Sequence, residues 1–330
     1  QVMELLCWCA RMASTGEGRP VKSVVEVCAL PAQRVAAHVQ QAQTKAIADH
    51  GYFSLAIAGG SLVKMLGAMK DMPDVSWDKW YVAWVDERCV PHDHDESNYK
   101  GAKEAWLSKV DIPAAQILAI DESLCGPVDA DAEVSVKCAD EYETRLRSLK
   151  EEVLPRGADG QPSFDLLLLG FGPDGHICSL FPGHPLLEDA SGRWVLPISD
   201  SPKPPPNRIT LSLPAVNAAN QILLVGLGDG KKEAVQSAFT PGCKLPCALA
   251  HGADPAGHPP IWVLDEAAAA SLPPEKERII FGSAAAATAA AAVGPSSAER
   301  KRMAATQNSS STDSPCTSRD SGPEGKRMKQ

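Results

Sequence analysis

One stretch of the chain, residues 164–185, constrains the fold more than any other, and its sequence is FDLLLLGFGPDGHICSLFPGHP. It opens with a short apolar run, Phe164 to Leu169, that is interrupted only by Asp165. A run of this length bounded by glycine predicts a strand that is buried on both faces of a parallel sheet. The glycines that follow predict an irregular loop, with a helix as one continuation beyond it.

This loop contains one carboxylate, Asp174, and one imidazole, His176. In α/β proteins, ligands bind at the carboxyl ends of the strands, where such loops begin. Histidine is the side chain best suited to proton transfer near neutral pH, and glycines such as Gly175 let the backbone approach a ligand closely. The loop is therefore interpreted as part of a functional site, and a tight turn with a structural histidine is the alternative.

The composition of the chain excludes several classes of protein. Its 330 residues suffice for one large α/β domain or two smaller ones, and 44% of them are hydrophobic. The formal net charge of -9 argues against a nucleic-acid partner, although a few local Arg and Lys residues can still bind an anion. No apolar run approaches the roughly 18 residues that a membrane span needs, so no membrane partner is expected. The ten cysteines form no CxxC pair, which predicts a reducing compartment and no disulfide framework.

Strands and helices alternate through residues 21–272, which predicts an α/β fold with a mostly parallel sheet. Besides the buried run, strands are expected at residues 21–30, 53–58, 79–85, 116–120, 194–198, 209–213, 221–226 and 260–264. Helices are expected at residues 31–50, 62–70, 98–109, 129–152, 214–220, 230–238 and 265–272.

The second predicted strand ends directly in Gly59, Gly60 and Ser61, and a predicted helix follows. Free amides at a helix N-terminus and the positive end of its dipole favour an anion, so this turn is a candidate phosphate cradle. It matches neither the GxxxxGK[ST] loop nor the dinucleotide GxGxxG pattern. A purely structural turn with Ser as the N-cap is the alternative.

Two arginines are candidate anion ligands, because guanidinium binds phosphate in a bidentate manner. Arg88 follows Asp86 and Glu87 at the carboxyl end of the third predicted strand, although a surface turn would also hold three charges. Arg208 stands at the start of the strand predicted at residues 209–213, where the alternative is a solvated arginine at a strand edge.

The loop after Arg88 contains His92 and His94 beside two aspartates. The HxH spacing occurs in metal sites, but no third ligand is fixed by the sequence. A polar loop that ends at Ser97, as the N-cap of the next helix, explains these residues without a metal.

The ends of the chain differ in character from its middle, and three segments are expected: an N-terminal extension (1–20), an α/β domain (21–282) and a low-complexity tail (283–330). The tail is poor in large apolar residues, which predicts disorder. Its basic clusters, ERKR and GKRMKQ, are interpreted as solvated, with nuclear import or anion binding as alternatives. The first 20 residues carry no convincing secretory signal, and organelle import stays open.

Four segments together resemble the 6-phosphogluconolactonase family. They are LAIAGGSLVKML (55–66), WVDERCVPHDHDESNY (84–99), FDLLLLGFGPDGHICSLFPGHPLL (164–187) and ISDSPKPPPNRITLSLPAVNAA (198–219). Their order and spacing are those of the family, and the similarity covers roughly residues 21–272. The resemblance implies the fold shared with glucosamine-6-phosphate deaminase, a Rossmann-like, mostly parallel sheet flanked by helices.

The resemblance also implies an activity, the hydrolysis of 6-phospho-D-glucono-1,5-lactone to 6-phospho-D-gluconate in the oxidative pentose phosphate pathway. It implies no organic cofactor and no required metal. The family pattern makes His176 the catalytic base. From their chemistry, Asp174 is interpreted as holding or polarising His176, with fixing the turn as the alternative, and the amides of residues 172–175 are candidate oxyanion donors. Recognition of the phosphate and sugar is expected from these residues: Gly59, Gly60, Ser61, Asp86, Arg88, Gly175 and Arg208.

The expected partner is therefore a small phosphorylated sugar lactone, and the expected assembly is a monomer or weak oligomer. The default compartment is the cytoplasm, and the alternative is a plastid, where this pathway also runs in photosynthetic cells.

The chain departs from the lactonase pattern at Ile177, where threonine is usual, and this resembles the deaminase. The deaminase pattern, however, has a carboxylate at the position of Phe181 and a tyrosine at the position of Arg88. A sugar-phosphate-sensing module is a third hypothesis, but no basic helix-turn-helix pattern precedes Val21. Retention of His176 with both arginines favours the lactonase.

Overall fold

The strand predicted from the apolar run lies at the centre of the protein. The computed structural model describes residues 23–272 and 279–281, all of which belong to one compact unit. The predicted N-terminal extension (1–20) and the predicted tail (283–330), with its basic clusters, lie outside the described residues.

Eleven strands are present in the described part of the chain. In chain order they are β1 (Val24–Cys28), β2 (Phe53–Ile57), β3 (Trp80–Trp84), β4 (Asp86–Arg88), β5 (Ile117–Leu118), β6 (Leu166–Gly170), β7 (Val195–Ile198), β8 (Arg208–Leu211), β9 (Ile222–Gly226), β10 (Ile261–Leu264) and β11 (Ile279–Phe281). Eight of them form one sheet in the order β11-β1-β10-β9-β6-β2-β3-β5, and every neighbouring pair is parallel. The predicted α/β class with a mostly parallel, Rossmann-like sheet is thus confirmed.

A second, smaller sheet contains β4, β8 and β7, in that order, with antiparallel pairing. This sheet was not predicted from the sequence, because residues 86–88 were interpreted as charges at the end of a strand or in a turn. They form a strand because their backbone pairs with residues 208–210 of β8. Arg88 and Arg208 are direct cross-strand partners in this register.

Seven α-helices are present among the described residues. They are α1 (Pro31–His50), α2 (Val63–Leu66), α3 (Asn98–Ala105), α4 (Glu133–Ser148), α5 (Leu213–Asn217), α6 (Lys232–Ala238) and α7 (Pro246–Leu249). The bounds predicted for α1 are confirmed, and Ser97 caps α3 by accepting a hydrogen bond from the Lys100 amide (3.2 Å).

Several predicted helices are shorter or absent, and α7 was not predicted. The helix expected at residues 62–70 is one α-turn between two 3₁₀ segments, Gly60–Leu62 and Gly67–Asp71. Residues 265–272 form turns, and residues 178–183 turn without a helix after the glycine-rich loop. Apolar spacing alone overestimated these segments because turns and 3₁₀ segments also bury alternate side chains.

The core of the large sheet confirms the expected burial of the central strand. Leu166, Leu167, Leu168 and Leu169 are each 0% exposed, as a strand covered on both faces requires. Asp165, the polar residue in this run, lies at the amino end of the strand, where its carboxylate accepts hydrogen bonds from the amide and the hydroxyl of Ser54, both at 2.8 Å. It therefore ties β6 to β2 instead of interrupting the core.

Candidate active site

The loop after β6 folds back on itself and so positions its two polar side chains. The amide of Gly172 donates to the His176 carbonyl (2.8 Å), and the amide of Gly175 donates to the Gly172 carbonyl (3.0 Å). Gly175 has φ +80°, a conformation that favours glycine. This tight turn brings His176 back beside Asp174.

The two side chains form a hydrogen-bonded pair. Nδ1 of His176 lies 2.5 Å from Oδ1 of Asp174. The imidazole is 18% exposed and the carboxylate 40% exposed. Because an ionised carboxylate can only accept, the pair is satisfied when Nδ1 of the neutral ring carries the proton. Nε2 is then the unprotonated nitrogen and is able to act as a base.

The surroundings set the charge state of this pair. Burial lowers the pKa of His176 below its ordinary value; the charge of Lys203 lowers it further, and Asp174 acts in the opposite direction. Burial also acts to raise the pKa of Asp174, but the hydrogen bond from His176 and the charges of His176 and Lys203 outweigh it, so this pKa is lowered. At neutral pH the histidine is therefore neutral and the aspartate ionised.

Lys203 is part of this group, although the sequence analysis assigned it no role. Its Nζ lies 3.1 Å from Nδ1 of His176 and 3.3 Å from Oδ2 of Asp174. The segment SPKPPP was interpreted only as a rigid connection, and the lysine within it gave no separate signal. The SPKPPP connection thus places the ammonium group of Lys203 beside the His176–Asp174 pair.

A cleft of about 190 Å³ opens beside His176 at the carboxyl end of the central strands. Of the predicted site residues, it is lined by Gly59, Gly60, Asp86, Arg88, His176 and Arg208. Asp174 joins the cleft through its hydrogen bond with His176.

The structure places the predicted site residues Gly175 and Ser61 through their backbone. Gly175 is outside the cleft lining: its amide donates to Gly172, and its carbonyl accepts from the amide of Cys247 (3.0 Å). The backbone of Ser61 lies within the 3₁₀ turn Gly60–Leu62 that follows β2. Because this turn leads into a helix of only four residues, the helix dipole expected to favour an anion is weaker than predicted.

Gly59 has a packing role that the sequence did not reveal. A β-carbon at this position would lie 1.7 Å from Oδ1 of Asn98. The Asn98 side chain in turn donates from Nδ2 to the carbonyl of Asp86 (2.9 Å). Glycine at residue 59 thus allows the turn after β2 to lie directly against the first residue of α3.

The two predicted anion ligands lie side by side, because Arg88 and Arg208 are cross-strand partners. Arg208 is only 3% exposed and donates to the carbonyls of Lys203, Pro204 and Pro205 at 2.8 to 2.9 Å. Burial, followed by the charge of Arg88, lowers its pKa to about 10, so it remains a cation at neutral pH. Two adjacent guanidinium groups in a cleft favour an anion between them.

The two carboxylates that precede Arg88 have separate roles. Asp86 is buried, and its Oδ2 accepts from the hydroxyl of Ser179 (2.9 Å). Glu87 is also buried, and its carboxylate accepts from the amides of Asn98 and Tyr99, each at 2.8 Å, at the start of α3. Burial raises the pKa of Glu87 to about 7 despite these hydrogen bonds. Glu87 therefore holds a helix in place.

Lys231 lines the cleft and is a second cation, after Lys203, to which the sequence assigned no role. Its Nζ donates to the carbonyl of Phe171, and burial followed by the charge of Lys203 lowers its pKa. In the sequence, this lysine was distinguished only by its place at the start of a predicted helix. A lysine at such a position does not indicate a binding or catalytic site.

The HxH loop does not form a metal site in the part of the chain that the structure describes. Nε2 of His92 is 2.8 Å from the carbonyl of Ile120, and Nδ1 of His94 accepts from the amide of Glu96 (3.1 Å). Within residues 23–272 and 279–281, no group of three or more His, Cys, Asp or Glu side chains is arranged to hold a metal ion. The seven cysteines of these ranges are free thiols.

The fold and site define an α/β protein with a His–Asp pair and two arginines at the carboxyl ends of its central strands. The family model for glucosamine-6-phosphate isomerases/6-phosphogluconolactonase matches residues 29–258, and the chain belongs to this family.

Curated relatives carry lactonase names. The chain is 41% identical over 265 residues to 6-phosphogluconolactonase 3, chloroplastic, of Arabidopsis thaliana, a match that covers 78% of each protein. It is 47% identical over 214 residues to probable 6-phosphogluconolactonase 3, chloroplastic, of Oryza sativa. That match covers 63% of this chain and 62% of the rice protein, so the chain spans less than two thirds of that relative's length.

Solved structures resemble the chain over most of its length. The 6-phosphogluconolactonase of Trypanosoma brucei matches with a TM-score of 0.65 and 26% identity, covering 77% of this chain and all of that one. A structure described as the devB protein matches with a TM-score of 0.62 and 28% identity, covering 76% of this chain and all of that one. In the ranges that the structure describes, no helix has the length and apolar character needed to cross a bilayer.

Proposed function

We propose that the protein hydrolyses 6-phospho-D-glucono-1,5-lactone to 6-phospho-D-gluconate. The observation that carries this proposal is the hydrogen-bonded pair of neutral His176 and ionised Asp174 beside a cleft lined by two neighbouring arginines. A lactone is an activated ester, so its hydrolysis needs one base and a means of orienting the ring. The names of the relatives and of the T. brucei structure support the same activity.

In the proposed reaction, Nε2 of His176 takes a proton from water as the water oxygen attacks C1 of the lactone. The resulting tetrahedral intermediate collapses when the bond between C1 and the ring oxygen breaks. The imidazolium returns the proton to that oxygen, which leaves as a hydroxyl group, and the ring opens to the acid. Asp174 stabilises the imidazolium while the ring is charged, as the acid of a catalytic triad does.

The oxyanion of the intermediate needs hydrogen-bond donors from the protein. The amides of Gly172 and Gly175 already donate within the loop, which removes two of the predicted donors. Pro173 has no amide hydrogen. We therefore assign this role to the remaining loop amides, those of Asp174 and His176, with Lys231 as the nearby cation of the cleft.

The phosphate is the group that Arg88 and Arg208 would hold, together with the backbone of Gly59 and Gly60. The reacting carbon and the phosphate stand at opposite ends of the substrate. Phosphate binding therefore serves to orient C1 toward His176 and takes no part in the bond changes. Asp86 is assigned to the sugar hydroxyls, because it is a carboxylate residue of the cleft lining and a carboxylate accepts hydrogen bonds from hydroxyl groups.

The deaminase alternative is disfavoured by the environment of His176. The Phe181 ring, at the position where the deaminase pattern has a carboxylate, packs against the imidazole with ring centroids 4.8 Å apart. Phe181 is 3% exposed, so no acid–base partner is available from this position.

The proposal is tested by generating 6-phosphogluconolactone in situ and following its loss above the spontaneous background. Acceleration by the purified protein supports the assignment. If the lactone disappears at the background rate while glucosamine 6-phosphate releases ammonia, the deaminase is the correct member of the family.

Replacing Arg88 with alanine is expected to raise KM for the phosphorylated lactone about 10- to 100-fold with little change in kcat, because hydrogen bonds to charged groups contribute roughly 1.5–3 kcal/mol. Steady-state kinetics with 6-phosphogluconolactone and with unphosphorylated gluconolactone measure this effect. Arg88→Lys is the matched control, since it keeps the charge and loses the bidentate geometry. A preference for the phosphorylated substrate that is the same in the alanine variant and the wild type would contradict the role.

The pH dependence of kcat/KM is expected to report the lowered pKa of His176. A base must be unprotonated to act, so activity falls as pH falls through this pKa, and the acid limb lies below 6.5, the ordinary value. Lys203→Met removes a charge that lowers the pKa and should move the limb to higher pH. A limb that stays in place in the Lys203 variant, measured over the same buffers, would show that Lys203 does not act on His176.

The compartment is proposed from the names of relatives. The chloroplastic names of the Arabidopsis and rice proteins favour the plastid over the cytoplasm. A fluorescent fusion of the full-length protein tests this choice, and a signal confined to the cytosol would reject it.

A monomer or weak oligomer remains the prediction for the assembly, and light scattering of the purified protein measures it.

A further inference from the structure

The two arginines of the cleft differ in what holds them. Arg208 donates to three backbone carbonyls, a set of partners that is fixed by the fold. Arg88 instead donates from one terminal nitrogen to Glu96, at 2.8 Å to its carbonyl and at 3.0 Å to Oε2 of its carboxylate. Among the described residues, Arg88 alone of the two has an ion-pair partner, and this partner can be exchanged for another anion.

The Arg88 side chain lies where two cavities meet. It lines the cleft beside His176 and also a groove of about 660 Å³ that passes Glu96 and Glu104. Its Nε is buried and finds no hydrogen-bond partner among the described residues. A buried donor without a hydrogen-bond partner costs free energy. An anion that also accepts from Nε would therefore bind Arg88 more favourably than Glu96 does.

The Glu96 side chain can move away from Arg88, whereas the Glu96 backbone is held by hydrogen bonds. The side chain is 51% exposed, and among the described residues its carboxylate has one hydrogen-bond partner, Arg88. The amide of Glu96 donates to His94, and the loop ends at the amides that Glu87 holds at the start of α3. Loss of the contact between Glu96 and Arg88 would therefore leave the loop in place.

We propose that the Glu96 carboxylate occupies Arg88 when the cleft is empty and is displaced by the phosphate group of the substrate. Glu96 is thus a residue that tunes affinity: it screens the repulsion between the two arginines in the free protein and competes with phosphate for Arg88. This inference rests on the proposed function, because it assigns phosphate to the arginines.

The competition has a direction that can be measured. Phosphate must break the ion pair between Glu96 and Arg88, and its negative charge is repelled by the nearby Glu96 carboxylate. Both effects weaken phosphate binding. Because an exposed ion pair typically contributes about 0.2 to 1 kcal/mol, Glu96→Gln is expected to strengthen phosphate binding about 1.4- to five-fold. The amide of glutamine keeps the size of the side chain and removes its charge.

The experiment is calorimetric titration of the wild type, Glu96→Gln and Glu104→Gln with inorganic phosphate. Glu104 is exposed, lines the same groove and lies outside the cleft, so its variant reports the effect of lost negative charge without lost competition. Kinetics provide a second readout: KM should fall in the Glu96 variant for the phosphorylated lactone and stay constant for gluconolactone.

Tighter phosphate binding in Glu96→Gln alone supports the inference. Equal affinities in the Glu96 and Glu104 variants would overturn it and leave the lactonase proposal standing, since lactone turnover is measured separately. If none of the three proteins binds phosphate, the inference is also overturned, and turnover of the lactone then decides the proposed function independently.

Discussion

Replacing His176 with alanine is expected to lower kcat for lactone hydrolysis by about 10²- to 10⁴-fold, the usual contribution of a positioned general base. The ring is the neutral partner of Asp174 and lines the cleft, and no other imidazole lines it among the described residues. KM should change little, because the phosphate is held at the other end of the substrate. The rate is measured as loss of lactone above the spontaneous background, which sets the lower limit of the assay.

His184→Ala is the matched control for this variant. His184 also pairs with a carboxylate, with 3.1 Å between its Nε2 and Oδ1 of Asp200, and it is similarly buried at 15% exposure. It lies outside the cleft lining, so its loss removes a His–Asp pair without removing the proposed base. Comparable rates in the two variants would mean that His176 is structural, which is the alternative raised by its position in a tight turn.

The buried strand and the polar loop after it were the parts of the protein that the sequence predicted best. A short, dense run of leucines is typical of a strand at the centre of a parallel sheet. The glycines after it mark the positions where the loop can turn. The loop hydrogen bonds involve residues within five positions of each other, so Asp174 and His176 meet through local geometry. Local constraints of this kind are readable from one sequence.

The pairing of the two arginines was not readable, although both were named as candidates. They are 120 positions apart and become neighbours only through the β4–β8 register. That register depends on a second sheet whose strands have three and four residues, too short for a periodic pattern. Sequence reasoning found the residue types and missed the element that brings them together.

Lys203 and Lys231 were missed for a similar reason. Lys203 reaches His176 because the connection before β8 folds back, and the Arg208 guanidinium holds the carbonyls of residues 203–205 in that position. A buried arginine thus organises the backbone that carries the lysine. The contact between Lys203 and His176, which are 27 positions apart, has no signature in composition or spacing, because it depends on the path of this folded connection.

Gly172→Ala is expected to lower kcat/KM by about 100-fold or more while leaving the protein folded. A β-carbon at residue 172 would lie 2.1 Å both from Oδ1 of Asp174 and from Nδ1 of His176. The two side chains must therefore separate or move, and a displacement of about 1 Å in a catalytic group can cost on the order of 10²-fold in rate. The variant leaves every functional group present and changes only where the pair can sit.

Gly67→Ala is the matched control, because its β-carbon would meet only the carbonyl of Ala105 at 3.6 Å, an ordinary contact, and its φ of -55° suits alanine. Thermal unfolding and circular dichroism of both variants establish that they fold. If Gly172→Ala keeps the wild-type rate, the pair tolerates displacement and its geometry is not what drives the reaction. If the rate falls and the acid limb also moves to lower pH, the methyl group has broken the contact with Asp174, which raises the pKa of His176 and fixes its tautomer.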